Sequence, residues 1–246
     1  MMNTSILGIL AAVLSVLVAI LIEGASLRSF LHLPAFLLIL GGTLGATLAS
    51  FSLTQVSRSI RDLKSSLFEK EPLELQSIFF RFWEKARKDG LLSLEEEAKK
   101  LKNPFLQKGV QLIVDGSDPR TIEELLWDAH EELEKKDLRS AKVFETAAGF
   151  SPTIGIIGTV LGLVSVLENL EGGTKVLGQG IATAFIATFY GISFANLIFL
   201  PLANQLKSFA KRQSNERQAI LRGVLALQSG ENRRILAERI EPFLER

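Results

Sequence analysis

Residues 176–206 read VLGQGIATAFIATFYGISFANLIFLPLANQL and contain no Asp, Glu, Lys, Arg or His. A helix needs about 20 mainly apolar residues to cross the hydrocarbon core of a bilayer, so this run is long enough to span one. Residues 5–22, 33–51 and 149–167 share this lack of charge. Four such runs in 246 residues are too many for the core of a soluble domain of this size. The sequence therefore predicts an all-α, polytopic membrane protein with four transmembrane helices.

The first apolar run is predicted to be a mature span rather than a signal peptide. A signal peptide begins with a basic region, and Met1 to Ser5 carry no basic side chain. The second apolar run follows after the short connection 23–32, which is the pattern of a helical hairpin.

Several classes of site are excluded by composition. The chain has no cysteine, so it has neither a disulfide framework nor a thiolate metal site. Its two histidines, His32 and His130, lie far apart in sequence and do not suggest a zinc site. The net charge is +1, and no basic cluster lacks neighbouring acids, so nothing indicates nucleic-acid binding.

Basic residues fix the expected orientation, because Lys and Arg concentrate beside the cytoplasmic ends of spans. The connection 23–32 holds only Arg28, and the connection 168–175 holds only Lys175. By contrast, 17 Lys and Arg lie in the long loop between spans two and three, and 9 follow span four. The N-terminus, the long loop and the tail are therefore predicted to be cytoplasmic.

This pattern divides the chain into four predicted segments. A transmembrane hairpin over 1–52 is followed by a cytoplasmic helical domain over 53–148. A second hairpin covers 149–206, and a cytoplasmic helical tail covers 207–246. No strand pattern is present.

Residues that typically start or end helices predict individual helices within the loop. Gly90 ends an amphipathic stretch, as glycine commonly ends helices. Ser93 followed by Glu96 is a capping-box pattern that predicts a helix start. Asn103 and Asp118 each precede a proline, and this order of cap residue and proline also predicts a start.

Small residues recur at helical spacing along spans three and four. Such stripes let membrane helices approach closely, which is their structural interpretation. Hydroxyls within the stripes are polar groups that would face a helix interface or a wet cavity, and Thr159 and Thr188 lie beside glycines near mid-span. The stripes consist of Gly155, Thr159 and Gly162 in span three and Gly180, Ala184, Thr188, Gly191 and Ala195 in span four.

The four spans contain no Asp, Glu, Lys, Arg or His. Machines that move ions usually carry one in the membrane, where it is costly and therefore functional. Either this chain moves no ion, or another polypeptide supplies the carboxylate that binds it.

Four motifs, in order, resemble one known family. The resemblance is to the A subunit of the flagellar motor stator (the MotA and PomA type of the MotA/TolQ/ExbB superfamily), and it extends over roughly residues 5–245. The motifs are Arg87–Glu96 (RKDGLLSLEE), Phe150–Val164 (FSPTIGIIGTVLGLV), Ala187–Gly191 (ATFYG) with Asn196 and Phe199–Pro201, and Gly223–Arg233 (GVLALQSGENR).

The resemblance implies an ion-conducting stator subunit in the bacterial inner membrane and not an enzyme. Five A subunits would surround two copies of a single-span B subunit that carries one essential aspartate. Proton or sodium flow past that aspartate would drive rotation, and the cytoplasmic loop would push on the rotor switch protein. The missing intramembrane carboxylate agrees with this arrangement.

Site residues follow from the same resemblance. Arg87 and Glu95 match the charges used against the rotor, and Lys88 and Glu96 match a sodium-type version of that patch. An acid expected two residues after Glu96 is replaced by Ala98. Helix-end charge preferences explain the same signs without a partner.

The spans carry the remaining matches. Thr159 and Thr188 match threonines of the sodium route, although Ala187 stands where a second threonine is expected. Oxygen ligands suit a hard cation, which favours sodium slightly over a proton. Pro152 and Pro201 match the family's prolines at the cytoplasmic ends of spans three and four, where a kink would couple ion flow to motion. No cofactor is expected.

Two alternatives remain. The related ExbB and TolQ type of energiser usually has three spans with its cytoplasmic segment after the first, whereas two spans precede the loop here. A passive membrane scaffold would show no ion-dependent activity.

Overall fold

Helices form all the regular structure of residues 4–68, 74–169 and 173–244, which are the residues described by the computed structural model. The all-α prediction is confirmed. The α-helices are α1 Thr4–Ile22, α2 Leu33–Ser50, α3 Leu53–Leu67, α4 Leu75–Asp89, α5 Glu95–Lys100, α6 Pro104–Val114, α7 Pro119–Glu168, α8 Gly173–Ser193, α9 Leu200–Gln228 and α10 Arg233–Ile240. Short 3-10 turns cover Leu27–Phe30, Leu91–Leu94 and Glu241–Phe243, and a π-helix over Phe194–Phe199 joins α8 to α9.

Three of these helical stretches are long and apolar enough to cross a bilayer. They are α2, an apolar part of α7, and the continuous helix Val176–Gln228. The apolar part of α1, Ile6–Ile22, is shorter. Residues 170–172 of the predicted connection 168–175 and residues 245–246 of the predicted tail lie outside the described residues.

The chain packs as two compact units. The first, here called the membrane unit, comprises Met1–Glu69 and Leu138–Lys207, and the second, here called the loop unit, comprises Lys70–Asp137 and Ser208–Arg246. The membrane unit therefore extends beyond the charge-free runs, since it includes α3 and the middle of α7. The long loop and the tail, separate in sequence, share the loop unit.

Polar contacts tie α3 into the membrane unit. Ser140 Oγ donates to Asp62 Oδ2 at 2.6 Å, and Gln205 Nε2 donates to the carbonyl of Ser66 at 3.1 Å. The N-terminus of α3 is closed by a capping box between Ser52 and Gln55. These contacts explain why α3 packs with the apolar helices although its own sequence is charged.

A single apolar core organises the loop unit. Its largest fully buried side chains come from the loop, from α9 and from α10. A Cβ atom built on Gly223 would lie 2.5 Å from the ring of Phe79, so only glycine allows α9 to approach this ring. The largest fully buried members are Leu75, Phe79, Leu94, Leu106, Ile122, Leu126, Ile220, Leu221, Leu236 and Ile240.

The predicted helix caps in the loop are mostly confirmed. Asn103 Oδ1 accepts from the backbone N–H groups of Phe105 and Leu106, at 2.9 and 3.1 Å. Asp118 caps α7 in the same way. The prediction for Ser93 was wrong, because its hydroxyl donates to the carbonyl of Gly90 and lies inside the 3-10 turn before α5.

A half-buried carboxyl group joins the start of α6 to α9. Asn103 Nδ2 donates to Glu216 Oε1 at 2.7 Å. Burial raises the pKa of Glu216, although the hydrogen bond from Asn103 and the charge of Arg217 act in the opposite direction. Because the folded pKa is raised, the stabilising contribution of Glu216 is present at low pH and is lost as the pH rises through that pKa.

We therefore expect Glu216→Gln to stabilise the protein at neutral pH. The glutamine keeps an acceptor for Asn103 but removes a charge that is costly to bury. The temperature of unfolding, measured for the detergent-purified protein, should rise by a few degrees at neutral pH. That gain should shrink as the pH falls towards 4.5, the ordinary pKa of the carboxyl group.

The control is Glu216→Ala, which removes both the charge and the acceptor and should give less gain or a loss. A glutamine variant that unfolds at a lower temperature than the wild type at neutral pH would show that the ionised carboxylate is favourable in place.

Candidate functional site

The predicted small-residue stripes of spans three and four face each other. A Cβ atom built on Gly162 would lie 2.9 Å from the backbone of Ala184, and one on Gly155 would lie 3.3 Å from the Cα atom of Gly191. A Cβ atom on Gly191 would lie 2.8 Å from the carbonyl oxygen of Ser151. Contacts this short mean that α7 and α8 approach backbone to backbone.

Thr159 and Thr188 meet at the centre of this contact. Their hydroxyl groups share a hydrogen bond, in which either oxygen can donate. Thr159 Oγ1 also lies 3.1 Å from the carbonyl oxygen of Gly155 and 3.2 Å from that of Ala184. The two hydroxyls and two carbonyls make a cluster of four oxygen atoms, which is the donor type that hard cations prefer.

The side chain of Ala187 faces α2 and Gly158 of α7, and not the hydroxyl pair of Thr159 and Thr188. It is 1% exposed and packs in a small apolar cluster with Ala35 and Ile39 of α2. A Cβ atom built on Gly158 would lie 2.6 Å from the Cβ atom of Ala187. The position of the expected second threonine is therefore filled by helix packing.

A second polar cluster joins the α1–α2 connection to α8. The hydroxyl of Tyr190 donates to the carbonyl of Phe30 and accepts from the backbone N–H of His32. The His32 ring accepts from the N–H of Ala35 through Nδ1, which caps α2, and its Nε2 lies 3.3 Å from Thr183 Oγ1.

Sequence reasoning missed this cluster. His32 was considered only as a metal ligand, and its partners lie about 150 residues away. One signal was available, because Thr183 and Tyr190 are seven residues apart and so share a helix face. The cluster fastens the short connection against the predicted fourth span.

The two prolines occupy different settings. Pro152 lies inside α7, well after its start. Beside it, the hydroxyl of the buried Ser151 donates to the carbonyl of Gly191 at 2.9 Å. Pro152 therefore adjoins the closest approach between α7 and α8 rather than beginning a helix.

Pro201 is the second residue of α9 and lies two residues after the π-helix Phe194–Phe199, which was not predicted from the sequence. The N–H of Leu200 donates to the carbonyl of Ala195, five residues earlier, instead of the four residues of an α-helix. Proline has no N–H, so it cannot restore the α pattern at its own position. Short π segments are rare and occur often at functional sites.

The predicted charged patch lies at the end of α4 and the start of α5. Arg87 and Lys88 are in the last turn of α4, Glu95 and Glu96 are in the first turn of α5, and all four are exposed. Ala98, which stands two residues after Glu96 where an acid was expected, is buried in the core of the loop unit.

Two of the four charges are engaged within the chain. The guanidinium of Arg87 stacks over the ring of Trp83, 5.1 Å from its centroid. Glu95 forms an ion pair with Lys99 at 2.7 Å, and the hydrogen bond from Lys99 lowers the pKa of Glu95. Within the described ranges, no side chain forms an ion pair with Lys88 or Glu96, so these two charges are the more available to a partner.

The family follows from comparison with known proteins. A family model for the MotA/TolQ/ExbB proton channel family matches residues 97–219, which is half of the chain. The chain belongs to this family. It is similar to motility protein A of Borreliella burgdorferi (strain ATCC 35210 / DSM 4680 / CIP 102532 / B31), with 32% identity over 94% of this chain and 89% of the relative.

Solved structures of the MotA/TolQ/ExbB family extend the likeness to the whole fold. The C. jejuni MotAB structure matches with a TM-score of 0.92 and 28% identity, over 98% of this chain and 95% of the other. The flagellar MotAB stator complex of Bacillus subtilis matches with a TM-score of 0.89 and 28% identity, over 99% and 96%. The chain is thus a multi-pass membrane protein of a family described as channels rather than as enzymes.

Proposed function

We propose that this chain is the ion-conducting A subunit of a flagellar motor stator and works with a B subunit. The observation that carries the proposal is the match to MotAB complexes along almost the entire chain. The resemblance found in the loop, the spans and the tail supports the same function over the ExbB and TolQ alternative. The chain itself catalyses no chemical step and binds no nucleic acid.

The division of labour between the subunits follows from the spans. Those of this chain carry hydroxyls but no Asp, Glu, Lys, Arg or His, so the ion-binding carboxylate belongs to the B subunit. We assign five copies of this chain to a ring around two single-span B subunits. The ring lies in the bacterial inner membrane, with both termini and the loop unit in the cytoplasm, as the distribution of Lys and Arg favours.

Of the two ions that the sequence leaves open, a proton and sodium, we propose sodium. Thr159 and Thr188 offer two hydroxyls beside the carbonyls of Gly155 and Ala184. A proton bound to a carboxylate needs no such ligands, whereas sodium does. These oxygens would complete the coordination of an ion held by the partner's aspartate.

Rotor contact and coupling are assigned to separate parts of the chain. The exposed patch has two cations, Arg87 and Lys88, and two anions, Glu95 and Glu96. Such a patch can orient a rotor protein whose surface carries the complementary charges. Pro152 and Pro201 are assigned to coupling. Pro152 lies at the close contact between α7 and Gly191 of α8, and Pro201 lies just after the π-helix Phe194–Phe199.

The experiment is rescue of swimming in a bacterium that lacks its own stators. Co-expression of this chain with its B subunit should restore swimming, and either chain alone should not. Swimming speed is then measured over a range of sodium concentrations at fixed pH, for the wild type and for Thr159→Ala. Loss of one oxygen near the ion should raise the sodium concentration for half-maximal speed about tenfold.

The matched control is Ser15→Ala, since the Ser15 hydroxyl donates to the carbonyl of Ala11 one turn earlier in its own helix, as any membrane-helix serine can. It should leave the sodium response unchanged. Sodium-independent swimming that Thr159→Ala does not alter would refute the ligand role, and failure of the paired subunits to restore any swimming would count against the stator function.

A further inference from the structure

Leu92 is the most exposed large apolar side chain in the described part of the loop unit. It is 73% exposed, whereas the next most exposed, Trp127, is 48% exposed. Single exposed leucines are common on protein surfaces, but this one lies between the two cationic and two anionic residues of the charged patch. Its position, rather than its exposure alone, calls for an explanation.

A rigid turn holds Leu92 outward. The helix α4 ends at Gly90, whose φ of +81° suits glycine, and the N–H of Ser93 donates back to the carbonyl of Gly90 at 3.2 Å. In a 3-10 turn, residues three apart share one face. Leu91 and Leu94 therefore both face the apolar core, where Leu94 is fully buried, and Leu92 must face away.

Charges of opposite sign flank this leucine in the sequence. Lys88 lies two residues before Gly90, in the last turn of α4, and Glu96 lies in the first turn of α5. Contacts between exposed charges alone are weak and are screened by salt. Protein interfaces gain most of their affinity from an apolar centre surrounded by polar groups that exclude water.

We propose that Leu92 is the apolar anchor of the rotor contact. It inserts into an apolar hollow on the rotor protein, whose carboxylates lie towards Lys88 and whose cations lie towards Glu96. This inference rests on the proposed rotor contact and adds to it the residue that gives the contact its affinity. The opposite charges on the two sides of Leu92 set the direction in which the partner docks.

The test uses the full chain with its B subunit in swimming cells. Leu92→Ala should shorten the dwell time of a fluorescently labelled stator at the motor roughly tenfold, as expected for truncation of an interface anchor. Leu92→Met, which keeps the apolar volume, should retain most of the dwell time. The control Leu125→Ala, at a residue of the same unit that is 40% exposed, should behave as the wild type.

Charge reversals separate this inference from the proposed function. If Lys88→Glu and Glu96→Lys shorten the dwell time but Leu92→Ala does not, the anchor is refuted and the rotor contact stands. If none of the three variants changes the dwell time while membrane levels stay normal, the rotor contact at this patch is refuted as well.

A photo-crosslinking amino acid at position 92 identifies what covers the side chain. Cross-links to the rotor protein support the anchor. Cross-links to a second copy of this chain, or to lipid, would overturn it, because Leu92 would then be buried by ring assembly or by the membrane surface.

Discussion

Replacing Gly191 by valine is expected to abolish swimming by preventing assembly of the membrane unit. A Cβ atom at this position would lie 2.8 Å from the carbonyl oxygen of Ser151 and 3.0 Å from the Cα atom of Gly155. Both are backbone atoms, so no side chain can turn aside to make room. Overpacking usually costs about 1–3 kcal/mol, and a clash between two backbones should cost at least the upper part of that range.

The measurement is the amount of full-length protein that co-purifies with the B subunit, together with swimming. Gly178→Val is the matched control on the same helix, because a Cβ atom there would have no neighbour within 4 Å in the described chain. The control should assemble. A Gly191→Val variant that accumulates and swims like the wild type would mean that α7 and α8 do not make this contact in the working complex.

Replacing Pro201 by alanine is expected to leave assembly intact and to remove most of the torque. Alanine has the backbone N–H that proline lacks, so residue 201 could donate to the carbonyl of Leu197 as in an ordinary α-helix. The five-residue hydrogen bond from Leu200 to Ala195 would then no longer be favoured. The π-helix Phe194–Phe199 should then shift towards an ordinary α-helix. If the wide turn is where the helix bends during ion passage, the variant should pass ions without driving rotation.

The measurements are swimming and ion uptake in cells that express the complex. Pro104→Ala is the control, because Pro104 is at the start of α6, where its missing N–H has no intrahelical acceptor. Full motility of Pro201→Ala, with normal assembly, would reduce Pro201 to a structural detail.

Local sequence patterns predicted the features that depend on neighbouring residues. Asn103 and Asp118 cap their helices because the oxygen of a short polar side chain reaches the backbone N–H groups two and three residues later. The stripe of Gly155, Thr159 and Gly162 was visible because helical periodicity places these residues on one face. The Ser93 prediction failed because its hydroxyl donates to the carbonyl of Gly90, three residues earlier, instead of accepting from a backbone N–H of α5.

Features that depend on the register between distant helices were not predictable. Nothing near His32 in sequence indicates that Thr183 and Tyr190 lie beside its ring. The same holds for the bond between Ser151 and Gly191, forty residues apart. By contrast, the pairs formed by Arg87 with Trp83 and by Glu95 with Lys99 are each four residues apart on one helix, so the spacing in the sequence is compatible with both.

The wide turn before Pro201 also absorbs one residue within the membrane unit. A π segment carries one residue more per turn than an α-helix, so it is equivalent to a single insertion. Deleting one residue of Phe194–Phe199 would let the segment close into an ordinary α-helix and would leave the buried faces of Ala203 and Leu206 where they are. Deleting one residue between Leu200 and Ala203 would instead turn those faces by about 100°, the angle of one α-helical residue. A viable homologue that is one residue shorter in this part of the chain is therefore expected to lack that residue within Phe194–Phe199 and to have no π-helix there.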